Sequence, residues 1–175
     1  MPAQDAGAQA FQARIDELIE AGLAFRLGKT RAEIGASLGP PRAATVRKLR
    51  NLHDPAQTDE LHELTYDGLR VLLYRVTAQD REFITDLSLT SAKYRVKWGL
   101  GVGSPKEAVR GVLGPGFTAL AAPDSRIAPP EARRRCEERD GVCTYRYDGF
   151  EQRSHVFFSF RGGRVSRIDW TFEVD

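Results

Sequence analysis

The chain has 175 residues, of which 41% are hydrophobic and 29% charged, as is usual for a globular protein of one domain or two small ones. Its formal net charge of +2 is too small to indicate binding to nucleic acid. No apolar run approaches the roughly 18 residues of a membrane span, and the N-terminus lacks the apolar core of a signal peptide. We therefore expect neither a nucleic-acid partner nor a membrane span, while a signal or lipid anchor removed from the chain stays open.

The first predicted element is an amphipathic helix that starts near Ala8 and ends near Gly22. Its apolar positions have helical spacing and are separated by charged residues. These positions are Phe11, Ile15, Leu18 and Ile19. We expect this face to pack on a core, and we assign residues 1–22 to the helix and the segment before it.

A pattern of turn and strands occurs twice in the chain. Residues 66–90 read YDGLRVLLYRVTAQDREFITDLSLT, and residues 147–171 read YDGFEQRSHVFFSFRGGRVSRIDWT. Each segment begins with Tyr-Asp-Gly and continues as an apolar strand, a polar turn and a second strand with alternating apolar residues. A repeat of this kind indicates two similar structural units.

A short predicted helix precedes each of the two segments. Thr30 and Glu33 form a capping box that opens the first helix, and Gly39 followed by two prolines ends it. Ser104 is the predicted N-cap of the second helix, with Pro105 in the first helical position. Helix and strands therefore recur together.

These elements predict an α+β fold with two tandem repeats, each a short helical layer packed on an antiparallel β-sheet. The first repeat covers residues 23–92 and the second residues 93–175. Between helix and strands lie residues 42–63 and 117–144, which differ between the copies and are predicted as variable connecting segments.

Alternation within the strands predicts one buried and one open sheet face. Ile168 and Trp170 are predicted to face the core, whereas Arg167 and Asp169 alternate with them. We predict that a partner protein binds the open face, through Tyr74, Asp86, Ser88, His155, Phe157, Arg167 and Asp169. Aromatic and charged side chains together are typical of an interface. Because no nucleophile is paired with a base, we predict no catalysis, no cofactor and no metal site.

Two other patterns have ordinary structural explanations. Residues 53–63 mix histidines with carboxylates, but spacing of this kind on a polar segment is usual for solvated charge rather than for a metal site. Residues 93–98 interleave basic and aromatic side chains as proteins that bind single strands do. A connector with one solvated edge is the favoured interpretation.

The chain has two cysteines, Cys136 and Cys143. They are too few and too far apart for a zinc knuckle. A disulfide between them would close a loop around Asp140 and Gly141 and contribute about 2–3 kcal/mol. We expect this bond, with two unlinked thiols as the alternative. If it forms, the protein works outside the cytosol.

Residues 23–174 resemble the β-lactamase inhibitor protein family and the related small outer-membrane lipoproteins of the SmpA/OmlA type. The resemblance rests on the capped helices that end in Leu-Gly-Pro, on the C-terminal stretch SHVFFSFRGGRVSRIDWTFEV, and on the position of the two cysteines. It implies tandem units with one sheet face free to bind protein, and a periplasmic or secreted setting. The tight Asp67-Gly68 turn stands where the inhibitor has a longer loop, so β-lactamase inhibition is not carried over.

The sequence therefore predicts a non-enzymatic protein-binding module of the bacterial cell envelope. Two alternatives stay open. One is a secreted or periplasmic inhibitor or immunity protein that acts against an enzyme, and the other is a small-molecule binder.

Overall fold

The structure, a computed structural model, describes residues 3–23, 27–51, 53–115, 117–119, 143–150 and 153–172. The helices are α1 (Ala3–Ala21), α2 (Arg31–Leu38) and α3 (Lys106–Leu113). The strands are β1 (Ala43–Arg50), β2 (Thr58–Thr65), β3 (Leu69–Val76), β4 (Arg81–Leu89), β5 (Phe117–Ala119), β6 (Cys143–Asp148), β7 (His155–Arg161) and β8 (Arg164–Thr171). No helix in these ranges is long and apolar enough to cross a membrane.

All eight of these strands belong to one antiparallel sheet, in the order β1-β2-β3-β4-β8-β7-β6-β5. The central pair joins β4 to β8, with Leu87 opposite Trp170 and Leu89 opposite Ile168. The prediction of two tandem repeats, each with its own sheet, is therefore wrong. An isolated sheet would leave β4 and β8 with unpaired edges, and pairing them satisfies the backbone groups of both.

The three helices cover one face of the sheet, and a single hydrophobic core lies between. It contains Leu18 from α1, Ile34 from α2 and Val109 from α3. The inward side chains of the strands complete it: Leu64, Leu69, Val71, Leu73, Leu87, Leu89, Tyr145, Tyr147, Val156, Phe158, Phe160, Val165, Ile168 and Trp170. The side chains of β4, β7 and β8 alternate in direction as predicted, but the outward face is not fully open, because Ser88, Phe157, Ser159 and Asp169 are buried. The division into residues 1–22, 23–92 and 93–175 stays a prediction.

Side-chain hydrogen bonds fix the helices on the sheet. The indole Nε1 of Trp170 donates to the carbonyl of Leu18 at 3.1 Å. The hydroxyl of Tyr147 donates to the carbonyl of Gly114, the residue that ends α3, at 3.2 Å. Each bond satisfies a buried donor of an aromatic side chain and sets the position of a helix over the strands.

The two short helices begin differently. The capping box at Thr30 and Glu33 is confirmed, because both reciprocal bonds are present. The predicted N-cap at Ser104 is wrong: α3 has Pro105 at its N-cap, without a side-chain cap. The Ser104 hydroxyl instead accepts a hydrogen bond from the backbone of Gly101 at 3.0 Å. It therefore closes the turn before the helix rather than the helix itself.

Residues 42–63, predicted as a variable connecting segment, contain β1 and most of β2. β1 pairs with β2 along its whole length, from Ala43 opposite Thr65 to Arg50 opposite Thr58. Residues of β1 are exposed on both faces. A strand without a buried face has no apolar alternation, which is why the sequence pattern did not indicate one.

Candidate functional site

The face of the sheet opposite the helices brings six of the seven predicted site residues together. Asp86 and Ser88 of β4, Arg167 and Asp169 of β8, and His155 and Phe157 of β7 lie on three adjacent strands. The register sets them in rows: Ser88 lies opposite Asp169, and Asp169 opposite Phe157. The next strand, β6, adds Arg146 opposite Phe157 and Asp148 opposite His155. We call this surface of β4, β8, β7 and β6 the central face.

Two arginine–aspartate pairs are the main polar feature of the central face. The guanidinium of Arg167 contacts the Asp169 carboxylate at 2.7 Å. That of Arg146 donates to Asp148 at 2.9 Å. The side chains of Asp169 and Asp148 are only 6% and 13% exposed, whereas Arg167 and Arg146 are 36% and 43% exposed. The carboxylates therefore lie below the surface and fix the guanidinium groups above them.

Phe157 lies between these two pairs, with Asp169 opposite it on one neighbouring strand and Arg146 on the other. As predicted, it points away from the helices, and it is not part of the core beneath them. It is nevertheless buried, with 8% of its surface exposed. Phe157 is therefore a local apolar support for the central face rather than a freely exposed contact.

His155 is held by one ring nitrogen. Its Nδ1 is 2.7 Å from a carboxylate oxygen of Asp148, and its ring packs edge-to-face on Phe157. The neighbouring hydroxyl, that of Thr171, donates instead to Asp86 at 3.4 Å. Within the described part of the chain no hydroxyl or thiol is bonded to His155, so an aspartate–histidine pair is present without the nucleophile that acyl transfer requires.

Tyr74, the seventh predicted residue, lies on the same face but in a different cluster. Its hydroxyl donates to the Asp59 carboxylate at 2.5 Å. Asp59 also accepts from the side chain of Asn51 at 2.6 Å and from the backbone of Thr77 at 3.0 Å. Both carboxylate oxygens are thus occupied, and the cluster connects the β1–β2 turn with the end of β3. We interpret it as structural.

This arrangement shifts the pKa values of both partners. The Tyr74 hydroxyl has the largest effect on Asp59, and it lowers the pKa of that carboxyl below its ordinary value of 3.8 against the opposing effect of burial. The same hydrogen bond raises the pKa of Tyr74 to about 12. Asp59 is therefore a carboxylate and Tyr74 a phenol throughout the neutral pH range.

A second polar cluster lies on the helix side, near the start of α2. Arg31 contacts Glu82 at 2.6 Å and donates to Nδ1 of His62 at 3.2 Å. Nε2 of His62 is 2.9 Å from Glu60. Because an arginine only donates, Nδ1 of His62 accepts and Nε2 carries the proton. This chain of bonds holds α2 to the sheet.

The mixed run of histidines and carboxylates at residues 53–63 is divided among separate places. His53 is exposed in the β1–β2 turn, Asp59 lies in the Tyr74 cluster, and His62 faces α2. Among the described residues, no group of three or more His, Cys, Asp and Glu side chains is placed to hold a metal ion.

The predicted disulfide involves one residue inside and one outside the described ranges. Cys143 is buried at the start of β6, and Cys136 lies outside the described residues. The bond between them stays a prediction.

Two residues of the central face were missed by the sequence reasoning, namely Arg146 and Asp148. Alternation along β6 could have placed Arg146 on this face, since Tyr145 and Tyr147 on either side of it are buried on the other face. For Asp148, the Tyr-Asp-Gly motif predicts a turn. Its role depends on the pairing of β6 with β7, which the order of residues along one strand does not reveal.

Comparison with known proteins adds no relative. No family model matches the chain, and neither the curated proteins nor the solved structures contain a match. The resemblance to the inhibitor and lipoprotein families stays a prediction, and the function has to be argued from the central face itself.

Proposed function

We propose that this chain is a non-enzymatic protein-binding module whose partner contacts the central face. Following the resemblance, we place it in the bacterial cell envelope, in the periplasm or secreted. The observation that carries the proposal is the pair of partly exposed guanidinium groups, Arg146 and Arg167, each paired with a less exposed carboxylate, that of Asp148 (13%) and that of Asp169 (6%).

Fixed arginines favour binding for an entropic reason. A free arginine side chain loses up to about 2 kcal/mol of rotamer freedom when it is ordered in a complex. Arg146 and Arg167 already have ion-pair partners in the free protein. Much of that cost is therefore met during folding, and the exposed N–H groups remain available to a partner.

The dimensions of the surface favour a macromolecule over a small ligand. The rows run across β4, β8, β7 and β6, and neighbouring strands are about 4.8 Å apart. Its polar groups therefore extend over about 14 Å in that direction alone. A protein surface makes contacts on this scale, whereas a small ligand is usually enclosed by a concave pocket.

The geometry around His155 supports a role without catalysis. Its partner Asp148 also binds Arg146, and the Thr171 hydroxyl donates to Asp86. The aspartate, the histidine and the hydroxyl that resemble parts of a catalytic site are thus each hydrogen-bonded to a neighbouring side chain of the central face. An inhibitor or immunity protein would use the same surface and is one form of the proposed function.

The test neutralises one ion pair of the central face while keeping its shape. In the variant Arg167→Gln with Asp169→Asn, we expect the affinity for a partner identified by cross-linking in envelope extract to fall about 10- to 100-fold, as for a hot-spot arginine. Circular dichroism checks the fold, and calorimetry with the purified partner measures the affinity.

A matched control is available on the helix side. Arg31 and Glu82 form a similar pair at 2.6 Å, with side chains 38% and 10% exposed against 36% and 6% for Arg167 and Asp169. Arg31→Gln with Glu82→Gln removes the same charges from the other face and should leave binding unchanged. Equal affinities of the two variants for the partner would refute the central face as the binding surface.

A further inference from the structure

The first strand of the sheet forms a long edge. Within the described residues, β1 pairs with β2 on one side and with no strand on the other. Seven of its eight residues are exposed, and the eighth, Leu49, is partly so. β5, the strand at the opposite edge, has three residues. Of the two edges in the described sheet, β1 alone is long enough to pair with a complete additional strand.

The register shows which backbone groups of β1 are free. Asn51 donates to the carbonyl of Gln57 at 3.1 Å. Since bonding alternates along an antiparallel pair, the odd-numbered residues of β1 face β2. The N–H and C=O groups of the even-numbered residues therefore point outward. These residues are Ala44, Val46, Lys48 and Arg50.

The side chains around this edge are cationic. Arg47, Lys48 and Arg50 have neither an ion pair nor a side-chain hydrogen bond in the described part of the structure. Arg42, just before the strand, lies 3.6 Å from Asp67, but both side chains are largely exposed. Val46, 56% exposed, adds an apolar surface that the helices leave uncovered.

We propose that β1 accepts an extended acidic segment of a partner protein as an additional strand of the sheet. Backbone hydrogen bonds would provide the affinity, as in other cases of strand addition. Carboxylates on the incoming strand would meet Arg47 on one face and Lys48 on the other. This site is separate from the central face and goes beyond the function proposed above.

The same charges argue against a second copy of this chain as the occupant. Two β1 strands side by side would bring together two sets of four cations, from Arg42, Arg47, Lys48 and Arg50. Like charges at this spacing repel each other, and cationic edge strands are a common protection against self-pairing. An acidic strand converts that repulsion into attraction.

The test uses a capped eight-residue peptide, Val-Glu-Glu-Val-Val-Glu-Glu-Val, titrated into the ¹⁵N-labelled full chain. Its paired glutamates place carboxylates on both faces of an extended strand. We expect binding with a Kd of about 100 µM and amide shifts and slowed hydrogen exchange confined to β1. The peptide with lysine in place of glutamate should not bind. Failure of the acidic peptide to bind, equal binding of both peptides, or shifts on other strands would overturn the proposal.

Variants separate strand pairing from simple charge attraction. Val46→Pro removes one outward N–H without breaking a bond to β2, and proline is tolerated in edge strands. It should abolish binding. Arg47→Glu should weaken binding about fivefold, since one attraction becomes a repulsion. Arg161→Glu changes the charge equally, at the exposed last residue of β7, and should have no effect.

Each remaining outcome also decides the question. If Val46→Pro folds and binds the acidic peptide normally, the peptide is held by charge without strand addition and the proposal fails. If Val46→Pro does not fold, hydrogen exchange of the wild type gives the decision. Protection of the outward amides of β1 by the acidic peptide supports strand addition, and no protection there overturns it. If the chain forms a dimer in solution and Arg47→Glu strengthens that dimer, β1 pairs with a second copy of the chain and the proposal of an acidic partner fails. Arg167→Gln with Asp169→Asn should not affect the peptide, so this test is independent of the central face.

Discussion

Two buried aspartates on the open side of the sheet have different roles. Asp59 accepts hydrogen bonds only from neighbouring uncharged groups, the side chains of Tyr74 and Asn51 and the backbone of Thr77 among them. Asp169 is paired with a guanidinium whose outer side is exposed. A carboxylate satisfied internally stabilises the fold, whereas one that fixes an exposed cation also shapes a surface. This difference separates Tyr74 from the other predicted site residues.

Removal of the Tyr74 hydroxyl should lower stability without affecting the central face. Tyr74→Phe leaves Asp59 buried with one donor fewer, and we expect the melting temperature at pH 7 to fall by about 2–4 °C. Thermal unfolding followed by circular dichroism measures this. Binding of a central-face partner should be unchanged. A loss of affinity in this variant would place Tyr74 in the interface after all.

The same pair predicts how stability depends on pH. The pKa of Asp59 is lowered by folding, so its contribution is present above its ordinary value of 3.8 and is lost as the pH falls further. The pKa of Tyr74 is raised from 10.0 to about 12, so its contribution is present below pH 10 and is lost between those values. The free energies of unfolding of the wild type and of Tyr74→Phe, measured with denaturant, should therefore converge between pH 10 and 12. A difference between the two free energies that stays constant over this pH range would show that the hydroxyl is not bonded to Asp59.

At the scale of elements, α1 is attached at several points along its length. Trp170 of β8 donates to Leu18, Arg14 donates to the carbonyl of Val112 in α3, and Lys97 pairs with Glu17. The helix thus contacts a strand, another helix and the connector after β4. This explains why its apolar face could be predicted from its spacing alone, since from Phe11 onward the helix has one side turned to the core.

The two tryptophans provide a matched test of this attachment. Trp170 is 2% exposed and bonded to α1, whereas Trp98 is 41% exposed. We expect Trp170→Phe to lower the free energy of unfolding by about 2 kcal/mol, through the lost hydrogen bond and the smaller ring. Trp98→Phe should change it by less than about 0.5 kcal/mol. Urea titrations measure both free energies, and equal decreases in the two variants would contradict the role of Trp170 in anchoring α1.

The elements that could be predicted from the sequence are those with one buried face. Alternation correctly put Ile168 and Trp170 in the core and Arg167 on the opposite side. β1 was missed because its residues are exposed on both faces. Six residues of the central face were predicted, yet the ion pair between Arg146 and Asp148 was not, because a local pattern does not show which strands are neighbours.

At the scale of the whole molecule, the pairing of β4 with β8 decides the architecture. The local resemblance between residues 66–90 and 147–171 was real in the sequence, but it did not show that the strands join in one sheet. The pairing joins residues about eighty positions apart, as in Leu87 with Trp170. Periodicity reports which face a side chain occupies and carries no information on such long-range pairs.

A single sheet and a continuous core predict cooperative unfolding. The core joins Leu73 and Leu89 to Ile168 and Phe158 without interruption, so neither half can lose its packing while the other keeps it. We expect one urea transition, with far-UV circular dichroism and the fluorescence of Trp170 in a Trp98→Phe background giving coincident midpoints.

A fragment of residues 1–92, which leaves β4 without its partner β8, should be unfolded or associated. Two separate transitions, or a folded monomeric fragment, would show instead that residues 23–92 and 93–175 are independent units.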